Sequence, residues 1–242
     1  MSTPTTSEYL IENAKKYADK SALSSKDNSG NWDTTTWSEF YNDTMDVAKS
    51  LMALGFQKND KLSIYSYNRK EWYVAYAAAN FCNGAGVGVY HTCSPEEVEW
   101  VVGNSDSKFV FVGHNPMDGG DTGKMCSHRL HKILDSLDKV EHVVVMQGVD
   151  MPKHDKVISW SDFISKGKDT DESKIHNSIK SIKPEDTATL IYTSGTTGNP
   201  KGVELTYDNF EYEISKVLEI QSYNQGDKYV SWLPCAHVFG QL

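Results

Sequence analysis

The chain has 242 residues, enough for one large domain or two small ones, and its 38% hydrophobic share, with six Trp, thirteen Tyr and eight Phe, allows a sizeable core. Its formal net charge is −9, from 24 basic and 33 acidic side chains, and only Arg69 and Arg129 are arginines. That balance excludes a broad basic face for nucleic acid and confines any phosphate contact to a local feature: a loop, a helix start or a single Lys.

The opening "MSTPTTSEYL" has neither a basic start nor an apolar core, so no secretory leader is expected. Leu10, Ile11, Ala14 and Tyr17 recur at helical spacing and predict a helix over Glu8–Ala18, followed by a short strand over Ala22–Ser25. Thr36 and Glu39 form a capping box, in which each side chain satisfies a backbone N–H of the other. The helix it starts runs to Leu54 and stops at Gly55. "KLSIYSY" (Lys61–Tyr67) alternates as a strand, "EWYVAYAAANF" (Glu71–Phe81) is a buried helix, and "GVGVY" (Gly86–Tyr90) is a strand. Ser94, Pro95 and Glu97 open the next helix with a second capping box. "KFVFVG" and "HVVVM" read as strands covered on both faces, with a helix over His128–Leu137 between them.

"HNPMDGGDTGKM" (His114–Met125) and "KGKDTDESKIHNSIKS" (Lys166–Ser181) are polar and aperiodic, and are expected as surface loops. An internal subdomain boundary is expected within 166–184. "TATLIY" (Thr187–Tyr192) is a strand, Thr206 caps a helix to about Glu219, and "YVSWL" reads as a final strand. Alternating strands and helices predict an α/β architecture with a mostly parallel sheet flanked by helices. The longest apolar stretch, around "WYVAYAAANFC", is too short to span a bilayer. Cys82, Cys93, Cys126 and Cys235 fit neither a CxxC pair nor a disulfide framework and are expected as reduced thiols, in a cytoplasmic setting. His128 and His131 lack a nearby Cys at zinc-site spacing.

"TSGTTGNPKG" (Thr193–Gly202) carries the chemistry. It follows a strand and is expected to lead into a helix, at the strand end where parallel sheets bind ligands. Gly195 and Gly198 let backbone N–H groups approach an anion. The hydroxyls of Thr193, Ser194, Thr196 and Thr197 add donors and can help hold magnesium, Pro200 limits the loop's excursions, and Lys201 adds a point charge. It is not a Walker A loop, because Lys201 precedes a glycine. "GAGVG" (Gly84–Gly88) is not a dinucleotide fingerprint, because Val89 stands where the third glycine would fall; it reads as a tight helix-to-strand connection.

"YTSGTTGNPKGVELTYDN" (Tyr192–Asn209) resembles the phosphate-binding motif of the adenylate-forming (AMP-binding) enzymes: acyl-CoA synthetases, luciferases and peptide-synthetase adenylation domains. "WLPCAHVFGQ" (Trp232–Gln241), centred on His237, resembles the family's next motif, and Ala53–Val102 resembles its N-terminal half. Within that span "GVGVYHTCSPEEVEWVV" is most similar to long-chain fatty acyl-CoA synthetases. Tyr207 departs from the pattern, which usually has His there.

The resemblance implies the N-terminal part of the family's large domain, occupying 1–242, in a fatty acid–CoA ligase using ATP, magnesium and coenzyme A. A carboxylate attacks the α-phosphorus of ATP, and the coenzyme A thiol then displaces AMP. Thr193 is implied as the magnesium-contacting hydroxyl. Ser194, Gly195, Thr196, Thr197 and Gly198 are implied as phosphate contacts, Lys201 as the partner of pyrophosphate, and His237 as a neighbour of the acyl carboxylate. Family members are more than twice this length, and their adenine, ribose, magnesium-Glu and catalytic-Lys sites would fall beyond Leu242. The chain is therefore expected to behave as an N-terminal fragment, inactive alone and prone to self-association, with peripheral contact to an intracellular membrane compatible with a fatty substrate. Two other expectations stay open: a non-catalytic ATP- or acyl-binding module, and an adenylate-forming ligase for an aromatic or amino acid.

Overall fold

The computed structural model describes residues 5–26, 31–114, 125–193 and 198–241. In chain order its elements are α1 (Thr6–Lys16), β1 (Ser21–Lys26), β2 (Trp32–Thr36), α2 (Trp37–Ala53), β3 (Lys61–Tyr65), α3 (Lys70–Phe81), β4 (Ala85–Val89), α4 (Pro95–Asn104) and β5 (Ser107–Val112). They continue with α5 (Cys126–His131), β6 (His142–Val145), β7 (Val157–Ser159), α6 (Trp160–Lys166), α7 (Glu172–Lys180), β8 (Thr187–Thr193), β9 (Lys201–Thr206), α8 (Tyr207–Ile220) and α9 (Val238–Gln241).

β1 and β2 form a separate antiparallel pair, and the other seven strands form one sheet in the order β7-β6-β5-β3-β4-β8-β9. Every pairing in that sheet is parallel except β8 with β9. The sheet is mostly parallel and flanked by helices, as the alternation of elements predicts.

The strands are covered on both faces, and β5 shows how. Phe109 and Phe111 join the core beneath α2, α3, α6 and α7, whereas Val110 and Val112 join the core beneath α4 and α5. A period of two on a doubly covered strand gives an unbroken apolar run. α2 starts at the Thr36–Glu39 box, with Thr36 N donating to Glu39 Oε2 at 2.8 Å, and stops at Gly55, whose φ of +90° lies where only glycine is comfortable. α4 starts at the Ser94–Glu97 box with Pro95 in its first turn.

Three expectations need correction. The stretch 166–181 is not wholly a surface loop: α7 forms within it, capped by Asp171, and buries Ile175 and Ile179 against the same core as Leu51 and Phe81. "YVSWL" forms no strand; its backbone is held by a side chain, described below. The helix expected over His128–Leu137 is shorter, a one-and-a-half-turn α5 followed by a 3-10 turn at Leu134–Ser136. Most of His114–Met125 lies outside the described residues.

Candidate phosphate-binding hairpin and its surroundings

Among β3 to β7 the chain first steps from β3 to β4 on one side, then returns across β3 to β5, β6 and β7. That reversal opens a crevice beyond the carboxyl ends of β3 and β5, the switch point where open α/β sheets take ligands. A cleft of about 930 Å³ lies there, lined by Tyr67, Asn68, His91, His114, Ser231 and Trp232 among others. The rings of Tyr67 and His91 stack at 3.8 Å within it. Thr193, Lys201 and His237 do not line this cleft.

Thr193 and Lys201 lie in the sheet, and His237 follows the segment packed on it. β8 runs parallel to β4, with Gly86 beside Thr189 and Val87 beside Leu190, and the Thr189 hydroxyl donates to the Gly86 carbonyl at 2.8 Å. β8 then turns back into β9, with Tyr192 opposite Gly202 and Thr193 opposite Lys201. Both Thr193 and Lys201 are exposed. Gly198 has a φ of +95°, which a side chain would oppose. Ser194, Gly195, Thr196 and Thr197 lie outside the described residues.

The sequence predicts strand, loop and then helix; the structure inserts β9 between loop and helix. α8 is capped by Thr206 and Asn209 at the far end of the hairpin, where Thr206 pairs with Thr187. A six-residue strand spans roughly 17 Å, so the positive end of α8 is remote from the loop. A helix start is therefore not part of the loop's surroundings.

The second motif reaches the same region by a route invisible in local sequence. The Asn68 side chain donates to the Leu233 carbonyl at 2.7 Å and accepts from Cys235 N at 2.8 Å, so one amide replaces the strand partner that 229–233 lacks. The Tyr73 hydroxyl meets Ser231 Oγ at 2.7 Å. Gly88 gives the segment room: a Cβ there would stand 2.6 Å from Ala236 Cα. His237 follows, half-buried, its Nδ1 accepting from Phe239 N at 3.3 Å.

Strand parity shows what comes together. Val87 and Val89 join the α4–α5 core, so Gly88 and the Ala236 above it lie on the opposite face. Leu190 and Tyr192 also join the α4–α5 core, which sends Thr193 and its cross-strand partner Lys201 to the face of Ala236. Thr193, Lys201 and the His237 segment thus share one face at the carboxyl end of the sheet. Among the described residues no group of three His, Cys, Asp or Glu could hold a metal ion. A Thr hydroxyl oxygen fits a magnesium ion that arrives on a nucleotide's phosphates, and the Lys201 ammonium, itself a cation, fits the phosphates but not the metal. All four cysteines are free thiols, and burial pushes Cys93 and Cys235 up to about 11, far from a reactive thiolate.

Comparison with known proteins gives a family match and relatives. The model of a family described as "AMP-binding enzyme" matches residues 10–242. A long-chain-fatty-acid–CoA ligase of Gallus gallus, ACSBG2, is 31% identical over 245 residues, covering 98% of this chain and 30% of its own length. The Mus musculus ACSBG2 protein is 32% identical over 97% of this chain and 34% of its own length. This chain therefore spans about a third of the curated relatives it matches. Among solved structures, o-succinylbenzoate CoA synthetase of Bacillus subtilis, in complex with its acyl-adenylate intermediate, superposes over 99% of this chain and 40% of its own, with a TM-score of 0.70 at 21% identity. That last likeness is one of fold.

Proposed function

We infer the function from one premise: the chain belongs to the AMP-binding enzyme family. On that premise we propose that it is the phosphate-binding part of a long-chain fatty acid–CoA ligase, which forms an acyl-adenylate and pyrophosphate from ATP, then acyl-CoA and AMP. The observation that carries the proposal is the register placing Thr193 opposite Lys201 at the open end of a hairpin, on the face crossed by the His237 segment. The fatty-acid class rests on the relatives at 31% and 32% identity.

The residues divide the work. Ser194, Gly195, Thr196, Thr197 and Gly198 cradle the β- and γ-phosphates through amides and hydroxyls. Lys201 follows the pyrophosphate as it leaves, and stabilising that developing charge is the larger part of catalysis in such chemistry. The Thr193 hydroxyl contacts the nucleotide-borne magnesium ion. His237 faces the acyl carboxylate. Coenzyme A enters as the second substrate. Four free thiols support a reducing, cytoplasmic setting, and a long-chain acid that partitions into bilayers supports peripheral contact with an intracellular membrane. No helix among the described residues is long and apolar enough to cross a membrane. Self-association has support in exposed Leu218, Ile220, Val230 and Trp232, at 56%, 83%, 76% and 73% exposure.

The test is competition. Magnesium pyrophosphate should displace magnesium-ATP from a single site, and adenosine should not. ATP binding indifferent to pyrophosphate would overturn the phosphate assignment. Thioester formation from palmitate in preference to anthranilate, by any longer protein containing this chain, tests the substrate class; the reverse preference would overturn it.

A further inference from the structure

Both strands of the hairpin are gripped by one helix. The Trp100 indole Nε1 donates to the Pro200 carbonyl at 2.8 Å, immediately before Lys201. One turn further along α4, Asn104 Oδ1 accepts the Tyr192 hydroxyl at 2.7 Å, immediately before Thr193. Positions i and i+4 lie on the same helix face, so α4 presents two adjacent grips, one for each end of the phosphate loop. The grips converge: a Cβ on Gly202 would stand 3.0 Å from the Tyr192 ring, so Gly202 lets the two strands close over that ring.

A grip positions only if the arm is fixed, and α4 is fixed along its length. Its first turn is locked by Ser94 N donating to Glu97 Oε2 at 2.8 Å and Glu97 N to Ser94 Oγ at 3.3 Å. Its underside buries Val98, Val101 and Val102. Its last turn is tied to the sheet by a buried serine chain, Ser105 Oγ to Ser107 Oγ at 2.8 Å and Ser107 Oγ to Ser63 Oγ at 2.7 Å. Burial pushes the Tyr192 hydroxyl up to about 12, so it stays a neutral donor at any working pH.

We propose that Trp100 and Asn104 are positioning residues for the phosphate hairpin, setting the spacing and direction of Thr193 and Lys201 without touching phosphate. The proposal rests on the phosphate assignment above. It explains what an exposed Trp contributes on a helix whose apolar face is already satisfied.

The test uses W100F, which keeps an aromatic ring and loses the donor, and Y192F, which keeps the ring over Gly202 and loses the hydroxyl. Hydrogen exchange is read on peptides covering 198–206 and, as a control, 61–89. A net hydrogen bond of ordinary strength corresponds to roughly fivefold faster exchange of the hairpin in W100F. The double variant should be faster still, with the control peptides accelerated no more than the measured loss of global stability accounts for. Affinity for magnesium pyrophosphate should fall by a similar factor in W100F under conditions where the variant is fully folded, a loss that a role in stability alone would not give. Unchanged exchange over 198–206 in both variants overturns the clamp, whatever the chain binds. A wild-type chain that takes up no magnesium pyrophosphate overturns the phosphate assignment, and the role built on it, whatever the exchange shows.

Discussion

The sheet from β7 to β4 and the hairpin of β8 and β9 are built on different terms. In β3, β4, β5 and β6 nearly every residue is buried, and α3 buries Trp72, Ala75, Ala78, Ala79 and Phe81 beside them. In β9 four of six residues are exposed, and over its fourteen residues α8 buries only Tyr207 and Phe210. The first region holds itself in place by packing. The second, which carries Thr193, Lys201 and the His237 segment, shares that packing along β8, where five of seven residues are buried, but beyond β8 it is held by a few named contacts: Lys58 with Asp186 at 2.8 Å, Asn68 on 233–235, and α4 on Tyr192 and Pro200. The groups proposed to meet phosphate sit where contacts are sparse, on a platform where they are dense, an arrangement in which the platform stays rigid while those groups adjust.

That contrast can be broken in order of size. Phe111 is fully buried, with edge-to-face partners Phe163 at 5.3 Å and Trp160 at 6.1 Å. Phe111→Ala should cost about 3–5 kcal/mol in urea unfolding. A loss under about 1 kcal/mol would mean the platform is not close-packed. Gly88→Ala places a methyl against the Ala236 backbone and should cost about 1–3 kcal/mol. Its signature is a larger acceleration of hydrogen exchange over 231–236 than over β3, β5 and β6; an equal effect on all of them would contradict the division.

Asp186 gives the pH test. Its burial works to raise the carboxyl, but Lys58, the Lys183 amide and Asn83 together hold it below the usual range. A depressed carboxylate contributes stability above its unfolded pKa, about 3.9, and loses it as pH falls through the folded value. Asp186→Asn should therefore be less stable than wild type by roughly 1–2 kcal/mol at pH 7, with the gap closing as the pH is lowered below about 4. A gap constant to pH 2 would remove the ion pair from the account. Smallest is Lys201→Ala, which should move the urea midpoint by no more than about 0.5 kcal/mol, because the side chain is exposed on an edge strand.

The same division decides what was legible in sequence. Capping boxes at Thr36 and Ser94 are local chemistry, and both form where the pattern put them. The runs at β5 and β6 are legible because burial on both faces removes polar positions. α7 was missed behind a polar composition, although Ile175 and Ile179 keep helical spacing and Asp171 caps them. β9 is hard to read because it is short, exposed at four of six positions and directly joined to the loop motif, although Val203 and Leu205 alternate. "YVSWL" has strand composition yet pairs with no strand among the described residues; its backbone is held instead by Asn68, 165 residues away in the chain from Leu233. Local pattern could name Thr193, Lys201 and His237; only the fold could show that Asn68, Gly88, Trp100 and Asn104 hold them.

The central claim is that the hairpin binds the phosphates of a nucleotide through Lys201, and calorimetric titration with magnesium-ATP of the wild-type chain beside Lys201→Ala tests it most directly. The account predicts binding in the wild type and at least a tenfold weaker affinity in the variant, about 1.4 kcal/mol, at equal stability. Equal affinity in both would contradict it.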